Sequence, residues 1–336
     1  MDRLKLTFAC GGYDRVEPLR TGRVKPKGID LETVQIDDPR QLFDVMMQSE
    51  KYDVAEMSLS EHIATTSAGE SPFVGLPVFP SKAFRHSFIV VNSESGIRKP
   101  KDLEGKRVGV PLYTMSAALW TRGMLEDDYG VDLSSITWVQ GAIDRPGSHG
   151  SPNPPPLLKQ PRIEINQSDK SLSDLLLDGE IDATLGGLMP VGFGGSPKLR
   201  RLFPNFREVE RDYYSRTQIH PIMHIIVIRK SLYERHPWIA KSLYDAFEQS
   251  KAVAWRELSY SGTQKVMLPW LYADLSEAQE VFGDDPWPYG IAPNDKTITA
   301  CIKYMKRQYM IAREPRIEEL FVHVDTETSK DRRMSA

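Results

Sequence analysis

The sequence predicts an α/β protein of two lobes, joined by two crossing strands, with a ligand cleft between the lobes. Three observations predict it. Strand-like and helix-like segments alternate from Leu4 to about residue 68, and a second alternation begins after residue 92. Two long apolar runs, FRHSFIVV (Phe84 to Val91) and IMHIIVIR (Ile222 to Arg229), stand where one alternation gives way to the next. The rhythm implies mostly parallel sheets with sites at strand C-terminal ends. Lobe 1 is expected over 1–91 plus 222–336 and lobe 2 over 92–221, and clefts at such junctions are where small ligands bind.

Taken in order, Leu4 to Ala9 reads as a strand that ends in the Gly11-Gly12 turn, and Ile29 to Ile36 as a second strand. PRQLFDVMMQS places Leu42, Val45 and Met46 on one helical stripe. Val54 to Met57 is a short strand, followed by a helix opening at Ser58 or Ser60. After FRHSFIVV come a short helix (KPKDLEG), a strand (RVGVP), a helix from Thr114 or Ser116, and a strand (ITWVQGA). Six prolines between Gly141 and Gln167 predict a long irregular loop. SLSDLLLDGEIDATLGGLMP reads as helix, turn, strand and glycine loop, with Leu172, Leu175 and Leu176 on a stripe. Beyond the strand at Ile222 the chain is mostly helical, interrupted by the turn DDPWPYG.

Composition narrows the function. The chain has 336 residues, 40% hydrophobic and 26% charged, which suits two domains of ordinary size. A formal net charge of -3 offers no basic excess for nucleic acid, and the basic tail KDRRMSA is short and expected to fray. Cys10 and Cys301 are the only cysteines and form no CxxC pair. The N-terminal residues lack a secretory pattern and no run approaches a membrane span, so the cytoplasm is the expected location. Gly11-Gly12 is no dinucleotide fingerprint, and no hydrolase nucleophile elbow is present.

Several strings carry a resemblance. IRKPKDLEGKRVGVP resembles the segment that begins the second lobe in type II periplasmic-binding-protein-like folds. YDR at Tyr13 to Arg15, YDVAEMSLSEH, PVFPSKAFRHSFIVVN, TRGMLEDDYGVD, GEIDA, PIMHIIVIR, FGDDPWPYG and IEELF together resemble the 4,5-dihydroxyphthalate decarboxylase family over nearly the whole chain. The resemblance implies a cytoplasmic carboxy-lyase on that fold, converting 4,5-dihydroxyphthalate to protocatechuate and carbon dioxide without an organic cofactor. A divalent metal held by His plus Asp or Glu is left open, as is a homo-oligomer. The reading from another class is a non-catalytic solute-binding protein for an aromatic carboxylate. His220 stands where an apolar residue is expected before PIMH, and the proline-rich loop is longer than the fold requires.

Losing carbon dioxide from such a ring needs a proton at the carboxylate-bearing carbon, assisted by the para hydroxyl. The protein must hold a dianion, supply an acid and supply a base for the hydroxyl. On the resemblance, Arg85 is the carboxylate clamp, since a guanidinium fork matches a carboxylate. His86 is the proton carrier. In a regular strand these two neighbours point to opposite faces, so both reach one ligand only if the chain bends. His224 shares a strand face with Ile226 and Ile228, which favours the core unless that face borders the cleft. With His220 it has a zinc-like four-residue spacing, but Pro221 and the β-branched run argue for a strand. Ser58, Ser60, Thr114 and Ser116 stand at helix starts that either cap the helix or hold an anion. Glu61 is either the first-turn carboxylate or the base for the hydroxyl. Arg15 either pairs with Asp14 or binds the second carboxylate. Tyr13 lies on the same loop, and Gly187, after Gly186, lets backbone approach a ligand.

Overall fold

The computed structural model describes residues 3–151 and 154–325. The basic tail and Pro152 of the proline-rich loop lie outside the described residues. Eleven strands form two sheets. They are β1 (Leu4–Cys10), β2 (Ile29–Gln35), β3 (Val54–Ser58), β4 (Phe73–Lys82), β5 (Val90–Asn92), β6 (Arg107–Val110), β7 (Thr137–Gln140), β8 (Ile163–Ile165), β9 (Ala183–Thr184), β10 (Leu199–Arg201) and β11 (Ile222–Arg229).

The first sheet runs β2-β1-β3-β11-β4, with β1, β2 and β3 parallel and β11 antiparallel to both its neighbours. The second runs β10-β5-β9-β6-β7-β8. The chain passes between the sheets twice, from β4 to β5 and from β10 to β11. The two crossings touch where the Ala83 N–H donates to the Pro221 carbonyl at 2.9 Å. A core around Phe8, Met57, Phe79, Ile226 and Phe247 fills the first lobe, and one around Val108, Leu125 and Trp138 lies in the second.

Sequence and structure agree on most elements where local signals are strong. The helix Pro39–Ser49 starts on Asp38, whose carboxylate accepts from the Arg40 N–H at 2.9 Å, with proline at the first helical position. The helix Leu172–Asp178 carries a Ser171/Asp174 capping box. Two findings depart from expectation. The segment Phe84 to Val91 is not one strand: residues His86–Phe88 form a single 3-10 turn, and only Val90–Asn92 joins a sheet. A sheet-to-sheet crossing cannot stay extended in either ladder. The long strand β4 has no expectation behind it, because Pro77 and Pro80 break the strand pattern. It is an edge strand, where a missing N–H costs no ladder bond, and its outer carbonyls accept from Gly290 N–H and Trp287 Nε1. No helix among the described residues is long and apolar enough to cross a membrane.

Candidate active site

Strands β1 and β3 end together, and β11 begins at the same edge of the sheet. At that edge a cavity of about 310 Å³ opens between the lobes, at the lower end of the range for small-ligand sites. Lobe 1 lines it with Tyr13, Arg40, Phe43, Ser58, Glu61 and His224, and lobe 2 with Leu112, Met115, Ser116, His149, Gly187 and Leu188. Arg85 lines it from the crossing between them. A larger, wide-open groove of about 970 Å³ lies along residues 25–28 and the helix Trp238–Ser259, away from these strand ends.

The most organised group in the cleft centres on Glu56, a fully buried carboxylate in the middle of β3. It accepts from Tyr13 Oη at 2.6 Å, from the Gly11 N–H at 2.9 Å and from Cys10 Sγ at 3.3 Å. Its Oε1 lies 2.5 Å from His224 Nδ1. Burial alone pushes the Glu56 carboxyl up, but His224, Tyr13 and the Gly11 amide outweigh it and hold it at about 2. Glu56 is therefore an anion that orients the imidazole. With Nδ1 committed to the carboxylate, Nε2 is left as the working nitrogen, with no hydrogen bond among the described residues. Burial, and then the Glu56 charge, push the Tyr13 hydroxyl up, so it stays a donor.

His224 owes its position to an irregular ladder. It stands opposite Ser58 on β3 and Ser81 on β4, and the β11–β4 register shifts on both sides of it. A bulge re-aims a side chain. His224 is partly open to the cleft while Ile225 through Ile228 are all buried. Alternation could not separate these residues, since helices cover both faces of this sheet. The ring of Phe43 meets the imidazole edge-on at 5.0 Å.

Two guanidinium groups line the cavity, and they differ. Arg40 pairs with both oxygens of Glu61 and with Asp44. Glu61 is thus engaged by a buried cation and holds Arg40 in place. Arg85 is 7% exposed and forms no ion pair among the described residues. Its Nε donates to Met223 Sδ at 3.2 Å and its plane lies 4.7 Å from the Phe88 ring centre. Burial lowers it to about 10, still charged at neutral pH, with Glu210 pulling the other way. A desolvated cation with only soft partners is a place for an anion.

The remaining expected residues separate into those at the cleft and those away from it. His86 turns into the second lobe, boxed by Phe203 at 5.3 Å, Tyr213 at 5.3 Å and Tyr129 at 6.1 Å, with both ring nitrogens buried and unbonded. Arg85 and His86 point opposite ways across the 3-10 turn and not through strand alternation, and the structure does not bring His86 to the cavity. Arg15 donates to the Pro80 carbonyl and Asp14 and stacks on Tyr13 and Trp287, behind the cleft wall. His220 stacks on Phe84 with centroids 4.8 Å apart, and does not converge with His224. Among the described residues no group of three or more His, Cys, Asp or Glu is placed to hold a metal.

The helix-start serines do not cap their helices. Neither Ser58 nor Met115, which stands where Thr114 or Ser116 was expected to cap, makes a side-chain cap. Instead Ser116 Oγ accepts from the Ser60 N–H at 3.0 Å and lies 3.1 Å from Ser58 Oγ, and Ser60 Oγ donates to the Thr114 carbonyl at 2.8 Å. These bonds tie one lobe to the other at the back of the cleft. Ser58, Ser116 and Gly187 line the cavity, whereas Ser60 and Thr114 stand behind it. Glu56, Arg40 and His149 were missed. For Glu56 a signal existed, a lone carboxylate inside the apolar run VAEM. Arg40 looked like a surface helix residue, and His149 sat in a loop without periodicity.

Comparison with known proteins follows the same lines. A family model for the periplasmic substrate-binding protein of phosphonate ABC transporters matches residues 25–151. The 4,5-dihydroxyphthalate decarboxylase of Comamonas testosteroni is 38% identical over 336 residues, covering 98% of this chain and all (100%) of the relative. That of Pseudomonas putida is 37% identical over 218 residues, 64% of this chain and 83% of the relative. Among solved structures, the periplasmic aliphatic sulphonate-binding protein of Escherichia coli superposes with a TM-score of 0.53 at 13% identity, over 98% of this chain and 94% of that one. A periplasmic sulfonate-binding protein of Methylobacillus flagellatus gives 0.54 at 13% identity, over 96% and 92%. At that identity the structures speak for the fold, which is the two-lobed type II periplasmic-binding-protein fold.

Proposed function

The chain belongs to the 4,5-dihydroxyphthalate decarboxylase family, and from that premise we propose a carboxy-lyase that converts 4,5-dihydroxyphthalate to protocatechuate and carbon dioxide in the cleft between its lobes. The observation that carries the mechanism is the convergence of an unpaired buried guanidinium, Arg85, and a carboxylate-oriented imidazole, His224, on one cavity.

On this reading Arg85 clamps the carboxylate that stays on the ring, with charge-assisted bonds strengthened by burial. Leu112, Met115 and Leu188 also line the cavity, and beside such apolar groups a neutral leaving molecule is better accommodated than a carboxylate. His224, held through Nδ1 by Glu56, gives a proton from Nε2 to the ring carbon that bears the departing carboxylate. Glu56 fixes the tautomer and balances the charge. Glu61 holds Arg40, and the serine cluster holds the lobes. The ring's own para hydroxyl supplies the electrons, so we propose no organic cofactor, and a cytoplasmic setting.

A solute-binding role on the same fold predicts binding without chemistry. Purified protein mixed with 4,5-dihydroxyphthalate, with and without added divalent metal, should release carbon dioxide and one equivalent of protocatechuate per substrate consumed. Stable binding without product under either condition would refute the enzyme.

A further inference from the structure

We propose that His149 is a second catalytic residue, the base that takes the proton from the ring hydroxyl para to the departing carboxylate; this rests on the decarboxylase reading above. The substrate has two chemically distinct ends, and the cavity lining carries both a buried cation, Arg85, and an imidazole, His149. Arg85 lies at the buried crossing between the lobes and suits the carboxylate end. The loop between β7 and β8, which leaves lobe 2 and docks on lobe 1, also lines the cavity. The Ser151 N–H donates to Asp44 Oδ2 at 3.2 Å. Gly150 packs so tightly on the Arg40 stem that a Cβ there would sit 2.4 Å from Arg40 Cγ. That seat delivers the neighbouring His149 to the cavity wall.

The imidazole is unspent. Neither ring nitrogen is hydrogen-bonded among the described residues. The charged groups that act on it are committed: Asp38 caps the helix Pro39–Ser49, Arg40 is paired with Glu61 and Asp44, and Arg145 is paired with Asp144. Tyr13 donates to Glu56. Burial, then the Arg40 charge, lower the His149 imidazole, which keeps it neutral and able to accept.

The step balances. The hydroxyl O–H bond breaks and its proton passes to His149. The oxygen electrons move into the ring, and the carboxylate-bearing carbon forms a C–H bond with the proton from His224. The C–C bond then breaks, its electron pair restores the aromatic phenolate, and carbon dioxide leaves. The phenolate takes its proton back from His149. One proton, entering through His224, is consumed per turnover.

Two substitutions and two ligands test this. Phthalate has the carboxylates without the hydroxyls and serves as the binding probe. His149→Gln keeps an acceptor but no base, so kcat for 4,5-dihydroxyphthalate should fall about 100-fold or more, with phthalate affinity unchanged. His149→Leu should also lose the preference for the dihydroxylated ring over phthalate. Near-normal kcat in His149→Gln would overturn the proposal. So would an equal loss of phthalate binding, which marks His149 as a wall of the cleft only. If the wild-type protein binds the ring without turning it over, the decarboxylase reading fails. The His149→Leu preference then still decides whether His149 meets the hydroxyl end.

Discussion

Arg85 and His86 are adjacent in sequence, and the 3-10 turn at the crossing sends one to the cleft and the other into an aromatic box. The consequence for His86 is thermodynamic. Burial, and then the nearby Arg216 charge, lower its imidazole to about 4, against about 6.5 unfolded. Between those values the unfolded chain binds a proton that the native chain refuses. Stability is therefore fully present above about pH 6.5 and is lost as pH falls through about 4, by up to roughly 3 kcal/mol for this group. Replacing His86 with Phe should flatten the fall in Tm across that window and leave turnover near wild type, read from thermal melts at several pH values beside a steady-state assay. A variant that melts like wild type at pH 4.5 would contradict the assignment. The residue types were legible in FRHSFIVV. The turn that decides which one meets the ligand was not, because a crossing between sheets carries no periodic signal.

At the scale of elements, the cleft is made by places where regular structure gives way. The bulge at His224 turns a core strand position toward the cavity, and the edge strand beside it, with two prolines, contributes Ser81 to the lining. The loop between β7 and β8 lines the cavity with His149, held by Gly150 against Arg40, which Glu61 and Asp44 keep still. Gly150→Val should push this loop off its seat and lower kcat/KM by roughly 100-fold, the scale set by a misplacement of about 1 Å, while the Tm stays close to wild type. Steady-state kinetics with a melt checks it, and an unchanged kcat/KM would mean that the loop does not set the geometry. Elements with a stripe or a long apolar run were readable: Leu42, Val45 and Met46 of one helix, Leu172, Leu175 and Leu176 of another, and the run of β11. Strand β4 was not, because its prolines hide a strand that only an edge position permits.

For the whole molecule, the two-lobed fold brings the buried Arg85 and the Glu56–His224 pair to one cleft. The two-lobed order was legible because alternation at this scale survives local errors. The chemistry was legible only in part: the sequence supplied Arg85, His224 and Tyr13, while Glu56, Arg40 and His149 emerge only when strand ends from both lobes are brought together. The central claim is that His224, oriented by Glu56, gives the proton to the ring carbon. His224→Gln measures it most directly, with 4,5-dihydroxyphthalate turnover and phthalate binding determined on the same preparation. The account predicts turnover lower by about 100- to 10,000-fold with phthalate bound as by wild type; turnover near the wild-type rate would contradict it.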